Sequence, residues 1–137
     1  MKPKKKILIV GGTGFIGFHL AKKSLKKGWQ VTSISSRHPK KIRFLKKVKY
    51  IRSDITNKKL LKKSTKDTYD YVVNLGGYVD HSNKKKTFKS HYEGCQNLAQ
   101  IFLKKKISSF IQIGSSLEYG ASKSPQKENI KCNLKSV

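Results

Sequence analysis

The chain has 137 residues, a formal charge of +25 at pH 7 and 36% hydrophobic residues. That length supports one domain with a core of its own, spanning residues 1–137. No apolar run is long enough to cross a bilayer, and the apolar stretch after the basic start Met1-Lys2-Pro3-Lys4-Lys5-Lys6 is too short for a signal peptide.

Ile7-Leu8-Ile9-Val10 predicts a buried parallel strand. Glycines follow at Gly11, Gly14 and Gly17, with two residues between each pair, and a helical pattern opens over residues 14–27. Each glycine has its own task. Gly11 lets the chain turn sharply out of the strand. Gly14 admits a pyrophosphate close to the main chain. Gly17 lets the helix lie close to the strand. The free N–H groups at the helix start then face an anion. This is the nucleotide-binding turn of a Rossmann-type domain. Phe15, Phe18, Leu20, Ala21 and Leu25 are expected on or near the buried helix face, and Gly28 at its end.

Residues 30–35 predict a second strand, with Val31, Ser33 and Ser35 alternating against Thr32 and Ile34. A loop with Pro39 and a basic segment lead to a third strand over 48–52 and a turn at Ser53-Asp54-Ile55. A short helix is expected over 57–63, capped at its start, then a fourth strand over 69–75. Residues 87–105 predict a long helix with His91, Cys95, Leu98, Ile101 and Phe102 on one face. A fifth strand is expected over 109–113, and 114–137 reads mostly as loop. Alternating strands and helices imply an α/β doubly wound parallel sheet in the order 3-2-1-4-5, with its crevice at the carboxyl ends of strands one and four.

Lysine carries nearly all the positive charge, with arginine only at Arg37, Arg43 and Arg52. Lysine pairs recur in every segment, as on solvent faces and helix C-termini. Such a bias is also what an AT-rich genome writes. Base readout favours arginine forks and aromatic platforms, which these runs lack. No specific nucleic-acid partner is expected, beyond weak salt-sensitive adsorption. Cys95 and Cys132 have no Cys-x-x-Cys partner; they fit a cytoplasmic chain without a disulfide or a metal site.

The end of the second strand bears on cofactor choice. An acidic residue there holds the ribose diol of NAD. Here stand Ser35, Ser36 and Arg37, with no carboxylate. Hydroxyls and an arginine suit a 2′-phosphate, so NADP is favoured modestly over NAD; the bland alternative is that Arg37 is a solvated loop charge.

Gly11-Gly12-Thr13-Gly14-Phe15-Ile16-Gly17 resembles the short-chain dehydrogenase/reductase superfamily, above all its extended branch, the NAD-dependent epimerase/dehydratase family that works on nucleotide sugars. The resemblance implies cofactor contacts from Gly11, Thr13, Gly14, Phe15, Ile16 and Gly17. Ser53-Asp54-Ile55 resembles the family's Asp-hydrophobic pair, whose carboxylate accepts from the adenine amino group; Asp54 capping the next helix is the alternative. Asn74-Leu75-Gly76-Gly77 resembles the family turn after the fourth strand, where Leu75, Gly76 and Gly77 would lie against the cofactor.

His91-Tyr92-Glu93-Gly94-Cys95-Gln96-Asn97-Leu98 is similar to the family's Asn-Val-x-Gly-Thr-x-Asn-Leu, with His91 in place of the asparagine that braces the site. His91 and His81 are weighed as ligands or bases, and packing or loop roles are favoured. Gly114-Ser115-Ser116-Leu117-Glu118-Tyr119-Gly120 resembles the family's Ser-Ser-x-x-Tyr-Gly. The resemblance makes Ser115 the active-site hydroxyl that bonds the substrate oxygen during hydride transfer. The dehydratases' acids would fall at Ser116 and Leu117, and Glu118 is one place off, which favours an epimerase or reductase.

The family's Tyr-x-x-x-Lys pair is due about where the chain stops. Tyr119 and Lys123 have that spacing, but Gly120 and Ser122 disfavour the helix that would align them. The expectation is the NAD(P)-binding portion of a sugar-nucleotide epimerase-like oxidoreductase, truncated and inactive alone. In the family the partners are a nucleotide sugar and often a second subunit. The competing expectations are a non-catalytic dinucleotide-binding or sensor module and, behind it, a basic nucleic-acid-binding protein.

Overall fold

In the computed structural model, which describes residues 3–78, 82–120 and 123–132, strands β1 (Lys6–Val10), β2 (Gln30–Ser35), β3 (Val48–Arg52), β4 (Tyr71–Asn74) and β5 (Ser109–Gln112) form one parallel sheet. Their order is β3-β2-β1-β4-β5, as the alternating pattern implies. Val10 pairs with both Ile34 and Asn74, Asn74 with Gln112, and Ser35 with Arg52. All the strands therefore end near one level, and the segments that leave them share one edge.

Apolar side chains alternate between the two sheet faces. On one face, helix α1 (Phe15–Lys26) sets Ala21 against Ile7, Ile9, Val31, Val48 and Val73. On the other, α2 (Lys58–Ser64) and α4 (Gly94–Phe102) bring Leu61, Leu98 and Phe102 onto Leu8, Val10, Ile34 and Val72. Each such large side chain, once buried, contributes about 1.5–3 kcal/mol. Coverage on both faces explains β2: Val31 to Ile34 are all buried, where an alternating pattern was expected.

Local chemistry sets the helix ends. Gly28, at φ +76, turns the chain out of α1 and donates its N–H to Leu25 O at 2.9 Å. Asn57 caps α2, its Oδ1 accepting from Leu60 N at 3.0 Å. The long helix differs most from expectation. It begins at Lys84, where Asn83 Oδ1 accepts from Lys86 N, runs through α3 (Lys84–Phe88), passes a π-helical turn at Lys89–Glu93, and ends with α4 at Phe102. Lys105 lies beyond it, and its amine donates to the carbonyl of Thr65 at the end of α2. The expected strands over 69–75 and 109–113 are shorter in the structure, β4 by three residues and β5 by one.

Phe15 corrects the expected buried face of α1. It is 66% exposed, because the stripe that meets the sheet is Gly17, Ala21 and Ser24. Residues 116–119 are not loop but a 3₁₀ turn, Ser116–Tyr119. Cys95 and Cys132 are free thiols. Among the described residues no helix is long and apolar enough to cross a membrane.

Candidate functional site

The glycine turn closes over the end of β1. Gly11 adopts φ +78, and its N–H donates to Ile34 O at 2.7 Å. Gly14 N donates back to Gly11 O at 3.0 Å, and Phe18 N to Gly14 O at 3.0 Å. A Cβ on Gly17 would lie 2.6 Å from Gly12 Cα, so only glycine lets α1 approach this closely. Gly14 is different. It is exposed, and a Cβ there would touch only Gly11 O, at 3.2 Å. The space in front of Gly14 is open, which is the fit a pyrophosphate needs.

Helix α1 starts with no side-chain cap and no acidic residue in its first turn. The amides of Phe15, Ile16 and Gly17 have no carbonyl one turn earlier within the helix. They present a partial positive charge to the edge where the strands end.

Two segments flank the turn. Ser35 Oγ, at the end of β2, accepts from Thr13 N at 3.4 Å. Ser36 and Arg37 follow it into solvent. On the other side, a Cβ on Gly11 would meet Leu75 O at 2.9 Å, so the turn rests on the chain leaving β4. Asn74, fully buried, orders that exit. Its Oδ1 accepts from Gly76 N at 3.0 Å, and its Nδ2 donates to Gln112 Oε1 at 2.7 Å. Cys95 Sγ donates to the same Gln112 oxygen at 3.0 Å.

The exit continues to Gly77 and Tyr78, which the π turn holds. Tyr78 N donates to Ser90 Oγ at 2.9 Å, and His91 Nε2 donates to Tyr78 O at 3.1 Å. The His91 ring occupies the place a side chain on Gly77 would take, with Nε2 2.9 Å from that Cβ position. His91 is therefore a packing and tethering residue. His81 lies outside the described residues.

The turn after β3 is held by α4. Asn97 Nδ2 donates to Ile55 O at 3.0 Å, and Gly94 gives room to the Ile55 side chain, 2.7 Å from a Cβ there. Ile55 in turn lies 3.3 Å from the Cβ position of Gly76. Asp54 does not cap α2. Its Oδ1 accepts from Thr56 N and Thr56 Oγ1, both at 2.9 Å, and the carboxylate stays exposed.

Ser115 follows β5 by three residues and is exposed. Its backbone N–H donates to Glu118 Oε1 at 2.9 Å, and Glu118 N donates to Ser115 O at 3.1 Å. Glu118 is thus engaged in closing the turn that carries Ser115. Gly120, at φ +62, turns the chain away after Tyr119, so Tyr119 and Lys123 do not share a helical face.

The structure brings Gly11, Thr13, Gly14, Gly17, Ser35, Leu75, Gly76 and Ile55 to one edge through these contacts. Sequence reasoning passed over three participants. Gly12 lies over Ser33, whose Cβ would be 2.8 Å from a Cβ on Gly12. Gln112 bridges β4 and α4, and Arg43 lies over the Phe15 ring at 5.9 Å. The glycine run pointed to Gly12; nothing in the sequence alone marked the other two.

The displaced ionisable groups lie at the opposite end of the sheet. A hydrogen bond and ion pair at 2.7 Å raise Lys49 and lower Asp67, and burial pushes the Tyr69 hydroxyl up. An open groove of about 640 Å³ lies there among Lys6, Trp29, Lys49 and Tyr69. It is shallow and ringed by solvated lysines. The edge with Gly11 is where backbone amides converge.

Comparison with known proteins agrees with this geometry. An epimerase of Methanothermobacter thermautotrophicus is 22% identical, with a TM-score of 0.85 over 93% of this chain and 40% of its own. WbmG of Bordetella bronchiseptica, solved with NAD and UDP, is 20% identical, with a TM-score of 0.85 over 96% of this chain and 44% of its own. A UDP-glucose 4-epimerase of Bifidobacterium longum, solved with NAD+ and UDP, is 22% identical, with a TM-score of 0.82 over 94% of this chain and 43% of its own. The chain thus spans less than half the length of these structures. No curated protein matches it. The family model for NAD dependent epimerases and dehydratases matches residues 7–136, and with the glycine turn, the strand order and the Ser115 segment in place, the chain belongs to the NAD dependent epimerase/dehydratase family.

Proposed function

We propose that the chain binds an adenine dinucleotide across the carboxyl ends of β1, β2 and β4, as the cofactor-binding part of a nucleotide-sugar epimerase or reductase. The observation that carries this reading is the glycine turn. Gly11 is left-handed, Gly14 is open to solvent, and the uncapped start of α1 aims its amides at that space. The amides of residues 15–17, with Thr13 beside them, would hold the pyrophosphate. Asp54 and Ile55 would hold the adenine, and Leu75, Gly76 and Gly77 would line the nicotinamide side.

Ser35, Ser36 and Arg37 favour the 2′-phosphate of NADP over the bare ribose of NAD. A bound nicotinamide supplies a hydride acceptor and donor. The Ser115 hydroxyl would hydrogen-bond the substrate oxygen at the carbon that loses or gains the hydride. The similar structures solved with UDP support a nucleotide sugar as substrate. Work in the cytoplasm and pairing of two subunits are proposed with it, as the family resemblance implies. Glu118 stands one place off the dehydratase acids, and its Oε1 accepts from Ser115 N, which favours an epimerase or reductase.

The test is titration of the chain with NADH, NADPH and GTP at one ionic strength, because a +25 chain attracts every anion. Both dinucleotides are expected to bind more tightly than GTP, NADPH the tighter, and Arg37→Ala to weaken that preference. Equal binding of all three would mean adsorption by charge alone, against this reading.

A further inference from the structure

We propose that Arg43 reads the ribose 2′-phosphate of the cofactor, as a second guanidinium beside Arg37. This rests on the dinucleotide reading above and adds a residue that neither the glycine motif nor the end of β2 contains.

Three observations carry it. First, Arg43 is brought to the cofactor edge although it stands eight residues past β2. The 3₁₀ turn Lys41–Arg43 folds the loop back, and its guanidinium lies over the Phe15 ring at 5.9 Å. Phe15 is the first residue of α1, next to the open amides. Second, the loop is tethered. The Tyr50 hydroxyl, from β3, accepts from Leu45 N at 3.1 Å and donates to Arg43 O at 3.5 Å, and the Tyr50 ring stacks on Phe44 at 5.5 Å. The lysines nearby, Lys40, Lys41, Lys46 and Lys47, are exposed, while Arg43 is half-buried. Third, no Asp or Glu precedes Asp54 in the sequence. Nothing on β1, α1 or β2 can hold a ribose diol as a carboxylate does, and nothing there repels a phosphate.

A guanidinium held near a ring, as Arg43 is near Phe15, spends none of its N–H groups on that contact, so its planar fork remains for another partner. That fork suits two oxygens of a phosphate monoester.

The experiment compares affinities for NADPH and NADH at fixed ionic strength in the full chain and in Arg43→Ala, Arg43→Lys and Lys104→Ala. The two ligands differ only in the 2′-phosphate, so the affinity ratio isolates that contact. Arg43→Ala is expected to lower the NADPH-to-NADH ratio about three- to tenfold with NADH affinity nearly unchanged. Arg43→Lys is expected to keep part of the preference, having the charge without the fork. Lys104→Ala, which removes one charge at the far end of the sheet, is expected to leave the ratio unchanged. The proposal is overturned if Arg43→Ala lowers both affinities equally, if Lys104→Ala matches it, or if the parent binds both without preference. A parent that binds neither ligand overturns the dinucleotide reading itself.

Discussion

A side chain on Gly17 would begin 2.6 Å from the Cα of Gly12, so the first turn of α1 and the glycine turn touch backbone to backbone. Gly14, three residues earlier in the same turn, is exposed. One glycine serves the fold; the other leaves open the space that the proposed pyrophosphate needs.

Gly17→Ala is therefore expected to destabilise the chain by about 1–3 kcal/mol, since backbone cannot step aside as a side chain can. Thermal unfolding of parent and variant measures it. An unchanged melting temperature would mean that α1 can move away from β1 at little cost.

Gly77 and His91 are expected to be coupled. Gly77→Ala displaces the imidazole and its bond to Tyr78 O, a loss of about 1 kcal/mol. In a His91→Ala background the same change should cost much less. A double-mutant cycle of unfolding free energies reads the difference. Additive effects would show that the ring is not held where Gly77 makes room for it.

Tyr69 gives a pH prediction. The residue is 5% exposed, its hydroxyl is buried with no hydrogen-bond partner among the described residues, and burial raises its pKa above the ordinary 10.0. The folded state favours the neutral phenol. That contribution is complete below pH 10 and is lost as the pH rises above it, because the unfolded chain ionises first. Tyr69→Phe has no proton to lose. The stability of the parent relative to Tyr69→Phe should fall between pH 9 and pH 11, by denaturant titration, about the 10.0 of the free phenol. A difference that stays constant across that range would contradict the burial argument.

No turnover of nucleotide sugars is expected from residues 1–137 alone. Their single Tyr-x-x-x-Lys, Tyr119 with Lys123, is broken by the left-handed Gly120. Without an aligned pair, the general acid–base contribution of about 10²–10⁴-fold is missing. Incubation with both cofactors and a panel of nucleotide sugars checks it. Turnover abolished by Tyr119→Phe would reinstate that pair.

The segments that were legible in the sequence are those whose signal is local. Ile7 to Val10 followed by glycines is contiguous, and β2 and β3 have the expected limits because apolar runs end at polar turns. The helix from Lys84 starts three residues before its apolar pattern, because its first turn, Lys84-Lys85-Lys86, has no apolar residue to start one. Its π turn leaves no mark on composition. Phe15 was placed inside from its helical spacing, though the helix meets the sheet through small residues. At the site, Gly11, Gly14 and Ser35 were readable as a motif. Arg43 and Gln112 were not, because each acts on a residue from a different segment; the bond between Glu118 and Ser115 N is local, but a lone Glu in a polar stretch does not announce the turn it closes.

The most direct test of the central claim is the affinity of Gly14→Val for NADPH, measured by calorimetry beside its melting temperature at fixed salt. Gly14 has extended backbone angles that valine tolerates, and its surroundings are open. The expected result is binding weakened by more than about tenfold, from lost contacts worth about 1.5–3 kcal/mol each, with the fold retained. An affinity equal to that of the parent, in a folded variant, would contradict the placement of the pyrophosphate on this turn.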